Sequence, residues 1–581
     1  MISKMLSNKL NKKFNKKFNT KFLAFSIALM QLSGPVSGSV VAPQPVLAHA
    51  VKLPFLWDNA TVYFLLTDRF FNGDRTNDLA YGRKADAAPL RGFAGGDLAG
   101  ITAKIEQGYF KDLGVNVIWL TPPVEQIHAG TDEGTGKSYG FHGYWARDFT
   151  RVDANLGTEA DMRRLVDTAH AHGIRILLDV VMNHTGPETE VDTVWPADWV
   201  RTDPACTYQA IASTVSCTLV NNLPDFRTDS DASVALPPEL VKKWKVEGRF
   251  QQELKELDAF FARTGWPRAP RYYLMKWHAD WVRKFGVDGF RIDTAKHVEP
   301  AVWKELKQVA SSAYEDWKQR NPHKKLGDEK FFMTGEVYNY ALGHGTEFTM
   351  DGGGLVNFYA NGFDSLINFG FKSDAKQSYE TLFSAYSAQL HGALKGYSVL
   401  NYVSSHDDGS PFDAARSMPF ETATKLLLSP GAAQIYYGDE TARSLIVPGT
   451  SGDAALRSMM NWDELANNAS RGDYRIAEVR EHWSRLGLFR QAHVAVGAGV
   501  HQQLSAQPYL FKRTYQQNGI KDTVLVALDL PVSASQTVGV HGVFAEGQKL
   551  KDYYSGKTGV VIAGKVTFDS NKNMLLIAAD E

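Results

Sequence analysis

The 581-residue sequence predicts an α/β fold: a (β/α)8 TIM barrel with an inserted domain after strand 3 and a C-terminal antiparallel β domain. Eight short apolar segments alternate with segments of helical period, the pattern of a parallel sheet covered by helices. Polar side chains follow several of the apolar segments, where barrels of this kind carry their chemistry. An open doubly wound sheet is the alternative, but no glycine-rich phosphate loop follows any strand.

The strand pattern begins near residue 62 and recurs at regular intervals. Strands are predicted over 62–66, 115–120, 174–181, 287–292, 331–334, 365–369, 398–403 and 433–437. Helices are predicted between them over 101–113, 159–172, 272–285, 301–319, 377–390, 422–428 and 474–491. The segment 174–181 is almost continuously apolar, which is typical of a strand buried on both faces.

Two parts of the chain depart from this alternation. Residues 185–270 show no clear strand–helix pattern, so we predict an inserted domain between the barrel parts 51–184 and 271–496. Short alternating segments at 509–512, 523–527 and 573–578 predict an antiparallel β domain over 497–581. The two cysteines, Cys206 and Cys217, lie close together in the inserted part, and in an exported protein this favours a local disulfide.

Residues 1–50 have the pattern of a secretion signal. They carry seven lysines and no acidic residue, then an apolar run over 22–32 and the small-x-small sequence Ala48-His49-Ala50. The run is too short to span a bilayer, so we expect no membrane anchor and export to the periplasm or the extracellular medium. Without these residues 56 basic side chains face 64 acidic ones, which argues against a nucleic-acid partner. We expect a monomer.

The segment 289–297, Gly-Phe-Arg-Ile-Asp-Thr-Ala-Lys-His, ends the fourth predicted strand. Arg291 and Asp293 are two residues apart, so on a strand their side chains point to the same face. A guanidinium beside a carboxylate favours the ionised carboxylate, which a glycoside hydrolase uses as its nucleophile. The alternative is a buried ion pair with a structural role.

Three further strands end in similar groups. Asp179 to His184 ends the third strand, Gly335-Glu336 the fifth and Ser405 to Asp408 the seventh. Because the carboxyl ends of barrel strands share one rim, carboxylates at four strand ends indicate an active site more than a solvated surface.

These four blocks closely resemble the conserved regions of the α-amylase family (glycoside hydrolase family 13), over nearly the whole chain after residue 50. The resemblance implies that Asp293 is the nucleophile, Glu336 the general acid/base and Asp407 the carboxylate that stabilises the transition state. Arg291 would hold Asp293. A retaining mechanism needs one charged and one protonated carboxyl group about 5–5.5 Å apart, and the apolar run 331–333 before Glu336 favours its protonated form.

The same resemblance extends to residues that would contact substrate. The block 141–149, Phe-His-Gly-Tyr-Trp-Ala-Arg-Asp-Phe, matches a family block in which the tyrosine stacks on the sugar at the cleavage site. An ordinary core role is the alternative and suits Trp145 and Phe149 better. The implied substrate-binding residues are Arg291, His184, His406, Tyr144 and His142, with Lys296 and His297 on the acceptor side.

The resemblance also implies Ca²⁺ as a cofactor. The block Leu223-Pro224-Asp225-Phe226 resembles one whose aspartate binds calcium, which gives Asn183, Asp225 and the backbone carbonyl of His297 as ligands. A second site would use residues of the loop 72–78 and the following glycine-rich turn: Asn72, Asp74, Asn77, Asp78, Gly95 and Asp97. From the residues alone, a polar turn is the alternative for that loop.

The function implied is that of a secreted α-amylase that hydrolyses internal α-1,4 bonds of starch, glycogen and maltodextrins with retention. An α-1,4-glucanotransferase is the alternative, because the three acids do not decide whether water or a sugar resolves the intermediate. A catalytically inactive glucan-binding protein would lack one of these acids. The chain departs from the family at Ser405, where most members carry asparagine.

Overall fold

Eight parallel strands close into a barrel in the computed structural model, which describes residues 54–132, 134–192 and 195–580. The barrel strands, β1 to β8 in chain order, are Thr61–Leu65, Val117–Leu120, Arg175–Val180, Gly289–Ile292, Phe332–Gly335, Ser365–Asn368, Ser398–Tyr402 and Ala432–Tyr436. Each pairs in parallel with its neighbours, and β1 pairs with both β2 and β8. The predicted barrel is confirmed; the expected signal peptide 1–50 lies outside the described residues.

Amphipathic helices cover the barrel. The principal ones are Leu98–Glu106, Glu159–Ala171, Pro270–Phe285, Pro300–Arg320, Tyr379–His391, Pro419–Leu427 and Ile476–Ala492. Three of them begin with proline, which suits the first helical turn because its missing N–H has no partner there. The helix predicted over 101–113 is shorter than expected, because Gly108 takes a φ of +80° and separates it from a 3-10 turn at Lys111–Leu113.

The segment between β3 and β4 contains more helix than the sequence pattern indicated. It includes the helices Ala212–Val215, Pro238–Val246 and Phe250–Thr264 and the short strand pair Val200–Arg201 and Asp225–Phe226. The sequence pattern missed the two longer helices, although each buries one apolar face that includes Trp244 in the first and Leu257 in the second. The predicted disulfide between Cys206 and Cys217 is confirmed.

Two hairpins extend from the carboxyl ends of barrel strands. The first pairs Val124–Gln126 with Ala146–Val152 and follows β2. The second pairs Phe348–Thr349 with Leu355–Val356 and follows β5. Both emerge at the end of the barrel that carries the predicted active site.

After the last barrel helix the chain forms an antiparallel sheet, as predicted. Its six strands, in spatial order, are Val500–Ala506, Tyr509–Gln517, Ile520–Leu528, Leu575–Ala579, Lys549–Asp552 and Thr558–Val560. Side chains alternate between two cores: Phe511 packs with the barrel cluster, and Leu510 packs in a separate cluster with Phe568. Among the described residues, no helix is long and apolar enough to cross a bilayer.

Candidate active site

The carboxyl ends of the barrel strands bring the predicted catalytic groups together. Arg291 lies in β4 and Asp293 directly after it, Glu336 follows β5, and Asp407 follows β7. A cavity of about 290 Å³ opens at this rim and is lined by Arg291, Glu336 and Asp407 together with Trp119 and other residues of neighbouring loops. The carboxyl-terminal end of the barrel therefore holds the candidate site.

Arg291 is the centre of a buried charge cluster. Its Nη1 donates to Asp293 Oδ1 at 2.8 Å and to Asp179 Oδ1 at 3.0 Å. Its Nη2 lies 3.0 Å from Glu336 Oε2. The guanidinium is 1% exposed, so these contacts are made away from bulk water. One cation thus holds three carboxyl groups, including the predicted nucleophile and the predicted acid/base.

The environment of Glu336 favours its neutral form. Burial is the main cause and, with the negative charges of Asp293 and Asp407, raises the pKa of Glu336 to about 8. The Arg291 guanidinium and the backbone N–H of Thr294, which donates to Glu336 Oε2 at 2.8 Å, oppose this without cancelling it. At neutral pH the carboxyl group holds a proton that it can donate.

Asp407 has the opposite environment. Partial burial disfavours its charge, but His406 and Arg457 outweigh that cost and hold the pKa of Asp407 well below its usual range. His406 Nε2 lies 2.9 Å from Asp407 Oδ2, and the Arg457 guanidinium donates to Asp407 Oδ1. The carboxylate is 44% exposed and faces the cavity. It is placed to meet a ligand as a fixed negative charge.

The predicted sugar-binding side chains surround the same centre. The Tyr144 hydroxyl donates to Asp179 Oδ2 at 2.9 Å, and the Tyr144 ring stacks against the ring of His406, with centroids 5.4 Å apart. The His142 ring stacks on the Tyr144 ring with centroids 5.7 Å apart, and His184 Nε2 donates to the Tyr144 carbonyl at 3.1 Å. The structure therefore brings all four predicted residues to one wall of the site.

Lys296 and His297 lie in a second cavity that adjoins the first. This cavity of about 520 Å³ shares Glu336, Tyr338 and Asn339 with the catalytic cavity. Burial lowers the pKa of His297 to about 4, so its ring is neutral near pH 7. The cleft thus extends from Asp407 past Glu336 towards the predicted acceptor side.

Comparison with known proteins agrees with this geometry. The family model "Alpha amylase, catalytic domain" matches residues 64–469. The chain belongs to the α-amylase family. It is 37% identical over 520 residues to the periplasmic alpha-amylase of Escherichia coli strain K12, covering 80% of this chain and 71% of the relative. It is 26% identical to the cyclomaltodextrin glucanotransferase of Thermoanaerobacterium thermosulfurigenes, covering 88% of this chain but 65% of that enzyme.

Solved structures give the same fold. An alpha-amylase from Anoxybacillus superposes with a TM-score of 0.60 at 23% identity, covering 91% of this chain and all of the other. The cyclomaltodextrin glucanotransferase CldA superposes with a TM-score of 0.60 at 21% identity, covering 89% of this chain and 99% of the other. The chain is accordingly a glycoside hydrolase of family 13, a family that acts on α-glucans.

Two groups of this α-amylase-family site were given no individual role from the sequence. Asp179, the carboxylate of the block that ends β3, accepts from Arg291, Tyr144 and the indole of Trp119. Arg457 comes from a short 3-10 helix after β8, with no local pattern that points to Asp407. Its Nε also donates to the His406 carbonyl at 3.1 Å.

The first predicted calcium site contains a carboxylate that lacks a complete set of partners. Asp225 Oδ2 accepts from the Leu219 N–H at 3.0 Å and the Asn183 amide also contacts the carboxylate, but Oδ1 is buried without a hydrogen-bond partner. Burial raises the pKa of Asp225 to about 7. His297 lies beside the same segment, with Nδ1 3.2 Å from the Thr214 carbonyl. An oxygen-rich site with one orphaned carboxylate oxygen fits a hard cation.

At the second predicted calcium site, some side chains are free to bind a cation and others already have hydrogen-bond partners. Asn72 donates to Asp78 Oδ1 at 2.7 Å, while the side-chain oxygens of Asn72 and Asn77 are buried without partners. A Cβ on Gly95 would lie 2.4 Å from Asn72 Nδ2, so only glycine allows this close cluster. These features fit a cation.

Two of the six predicted ligands at the second site already have other partners. Asp97 caps the helix Leu98–Glu106 and accepts from the N–H groups of Gly73, Asp74 and Gly100. The Asp74 carboxylate accepts from Thr76. Among the described residues, no group of three or more His, Cys, Asp or Glu side chains is arranged to hold a metal, so any site depends on amide and carbonyl oxygens.

Proposed function

We propose that this protein is an exported α-amylase that cleaves internal α-1,4 bonds of starch-type glucans with retention of configuration. The supporting observation is the sharing of Arg291 between Asp293 and Glu336, together with the pKa of about 8 at Glu336. A retaining glycosidase requires one carboxylate free to attack and one carboxyl group able to donate a proton.

In the first step, Asp293 attacks the anomeric carbon while the Glu336 carboxyl protonates the glycosidic oxygen, so that the leaving sugar departs with its new hydroxyl. Asp293 is then bonded to the retained sugar, and Glu336 is a carboxylate. In the second step, Glu336 takes a proton from water, the resulting hydroxide attacks the anomeric carbon, and Asp293 is released. Asp407 stabilises the positive charge that develops on the ring in both steps.

Tyr144, His142, His184 and His406 support this chemistry by holding the sugar ring. Tyr144 presents an aromatic face whose position is set by its hydrogen bond to Asp179. Burial lowers the pKa of His142 and of His184, so both are neutral donors or acceptors for sugar hydroxyls near pH 7.

Digestion of soluble starch by the purified protein tests the proposal. Linear maltooligosaccharides as the main early products support endo-hydrolysis. An α-1,4-glucanotransferase is the second candidate, favoured by the similarity to cyclomaltodextrin glucanotransferases, and cyclic or lengthened products would establish it instead. Absence of any α-glucan cleavage would refute both.

We also propose that Ca²⁺ binds Asn183, Asp225 and the His297 carbonyl, and a second ion the cluster around Asn72. The first ion would neutralise the buried Asp225 and fix the inserted segment to the barrel, a structural role. A metal that binds only the native state stabilises it, so EDTA should lower the melting temperature and Ca²⁺ should restore it. Asp225→Asn should remove most of this response; an unchanged melting curve in EDTA for the parent protein would contradict both sites.

The compartment is part of the same proposal. The lysine-rich, apolar residues 1–50 and the similarity to a periplasmic relative support export, with the mature chain acting as a monomer. Fractionation of expressing cells, with N-terminal sequencing of the exported form, tests this: a chain that keeps residues 1–50 in the cytoplasm would contradict it.

A further inference from the structure

Two loops from distant parts of the chain meet beside the second cavity. The first, here the disulfide loop, is residues 206–217, closed by the bond between Cys206 and Cys217. The second, here the glycine turn, is residues 351–354, at the tip of the hairpin that follows β5. Each belongs to a different part of the fold, so their contact links the inserted segment to the barrel hairpin.

The contact is made by backbone on backbone at Gly352 and by backbone on the Ile211 side chain at Gly354. A Cβ on Gly352 would lie 2.2 Å from the Gln209 carbonyl oxygen and 2.5 Å from the Ala210 nitrogen. A Cβ on Gly354 would lie 2.5 Å from Ile211 Cδ1. A side chain at Gly352 would therefore force the loops apart, whereas the Ile211 side chain could move away from one at Gly354. Gly353 between them has open space around it, so the close approach is specific to its neighbours.

Both loops also reach the floor of the second cavity. The Tyr208 ring lies 6.1 Å from the His297 ring, and His297 Nδ1 is 3.2 Å from the Thr214 carbonyl. From the other side, Asp351 Oδ2 lies 2.5 Å from Lys296 Nζ. Tyr208 and Asp351 both line the cavity of about 520 Å³ that adjoins Glu336.

We propose that the joined loops form a wall that restricts the acceptor side of the cleft, so that the enzyme cleaves short linear α-glucans in preference to starch polymers. The inference rests on the proposed function, because it concerns the fit of the same substrate class. A short chain ends within the second cavity, whereas a polymer must continue past Tyr208 and Asp351. The wall thus acts on specificity without touching the catalytic acids.

The wall can be opened without unfolding the barrel. The Asp351 side chain is 44% exposed, and a partly exposed ion pair contributes little to stability. That ion pair joins the glycine turn to the segment after β4, and the contact between the two loops is the close approach of Gly352 and Gly354 to residues 209–211. Loss of this contact should change which substrates fit and leave the contacts of Arg291 intact.

The test compares kcat/KM for maltopentaose and for soluble starch in the parent protein and two variants. Gly352→Ala should raise the ratio of kcat/KM for starch to kcat/KM for maltopentaose by about tenfold. This is the lower end of the discrimination that one extra methylene in a binding pocket produces, about tenfold. Gly353→Ala is the matched control: its φ of +96° resembles the +84° of Gly352, but its Cβ meets nothing within 4 Å. If Gly352→Ala and Gly353→Ala have the same ratio of kcat/KM values, the proposal that the loops restrict the cleft is wrong.

Asp351→Asn provides a second test if Gly352→Ala does not fold. It removes the ion pair to Lys296 at an exposed position and should raise the same ratio, while an unchanged ratio would overturn the proposal. If the parent protein cleaves maltopentaose and neither Gly352→Ala nor Asp351→Asn changes the ratio, the wall is refuted and the proposed function is not. A parent protein that cleaves no α-glucan refutes the proposed function, and the wall with it.

Discussion

Two corners of the active site distribute charge in opposite ways. Around Arg291, one guanidinium faces three carboxyl groups, those of Asp179, Asp293 and Glu336. Around Asp407, one carboxylate faces two potential cations, His406 and Arg457. The first corner has too little positive charge to keep all its acids ionised, and the second has enough for its single acid.

This difference explains how chemically similar acids can take different roles. Where carboxyl groups outnumber cations in a buried site, the group that is least well paired keeps its proton. Glu336 is that group, with a pKa of about 8, while cationic neighbours hold the pKa of Asp407 low. Burial disfavours the charged form of both groups, and the number of neighbouring cations separates the proton donor from the charge stabiliser.

The largest expected effect follows from removing one acid of the Arg291 corner. Asp293→Asn removes the attacking carboxylate, and Glu336→Gln removes the proton donor while it keeps the shape of the side chain. We expect kcat to fall by about a thousandfold or more in each, since positioned acid–base groups alone contribute about 10²–10⁴-fold. Initial rates on maltopentaose measure the loss.

Melting curves provide the control for these two variants. Neither change removes apolar burial, so both proteins should melt near the parent temperature. A folded variant that keeps several per cent of the parent activity would contradict the role of the residue concerned.

A second prediction concerns the pH profile. Because the pKa of Glu336 is raised, its protonated form persists through neutral pH and is lost as the pH rises through about 8. The kcat/KM for maltopentaose should therefore fall by about tenfold for each pH unit above that value. If kcat/KM begins to fall near the ordinary glutamate pKa of about 4.3, the surroundings of Arg291 do not keep Glu336 protonated at neutral pH.

The smallest effect is expected at the other corner. Arg457→Met removes the permanent cation beside Asp407 and raises the pKa of that carboxyl group, so activity should be lost at a higher pH on the acidic side. At neutral pH we expect a decrease in kcat of about tenfold or less, because His406 still supports the charge. Arg457→Lys, which keeps the cation, should shift the acidic limb less.

For this prediction the pH profile is the decisive readout. A uniform loss of activity at every pH would indicate that Arg457 acts by packing or by substrate contact alone. In that case the charge of Asp407 would depend mainly on His406.

The sequence placed Asp407 and His406 at the second corner but missed Arg457 for a physical reason. Strands of a parallel barrel have continuous apolar patterns, and their carboxyl ends must meet, so Arg291, Asp293 and Glu336 could be placed together before any coordinates. Arg457 comes from a loop after β8 that has no period, and its partner lies 50 residues away in the chain. Loop contacts of this kind follow from tertiary packing, which no local pattern encodes.

The inserted segment illustrates the same limit. Its disulfide was predicted from two nearby cysteines, whereas the helices Pro238–Val246 and Phe250–Thr264 were missed although each has an apolar face, because no predicted strand alternates with them. The close approach of Gly352 to Gln209 could not be predicted either, because a glycine has no side chain whose type would indicate the contact. The predicted domain boundaries and the individual roles of the site residues stay predictions.

The most direct test of the charge account is the protonation state of Glu336 itself. An infrared difference spectrum of the parent protein between about pH 6 and about pH 10, two units either side of the raised pKa, should show the carbonyl band of a neutral carboxyl group disappear as the pH rises. The same difference spectrum of Glu336→Gln should show a smaller band, because burial also raises the pKa of Asp68 to about 6 and of Asp225 to about 7, and only the share of Glu336 is lost. Bands of equal size in the parent protein and in Glu336→Gln would contradict the account.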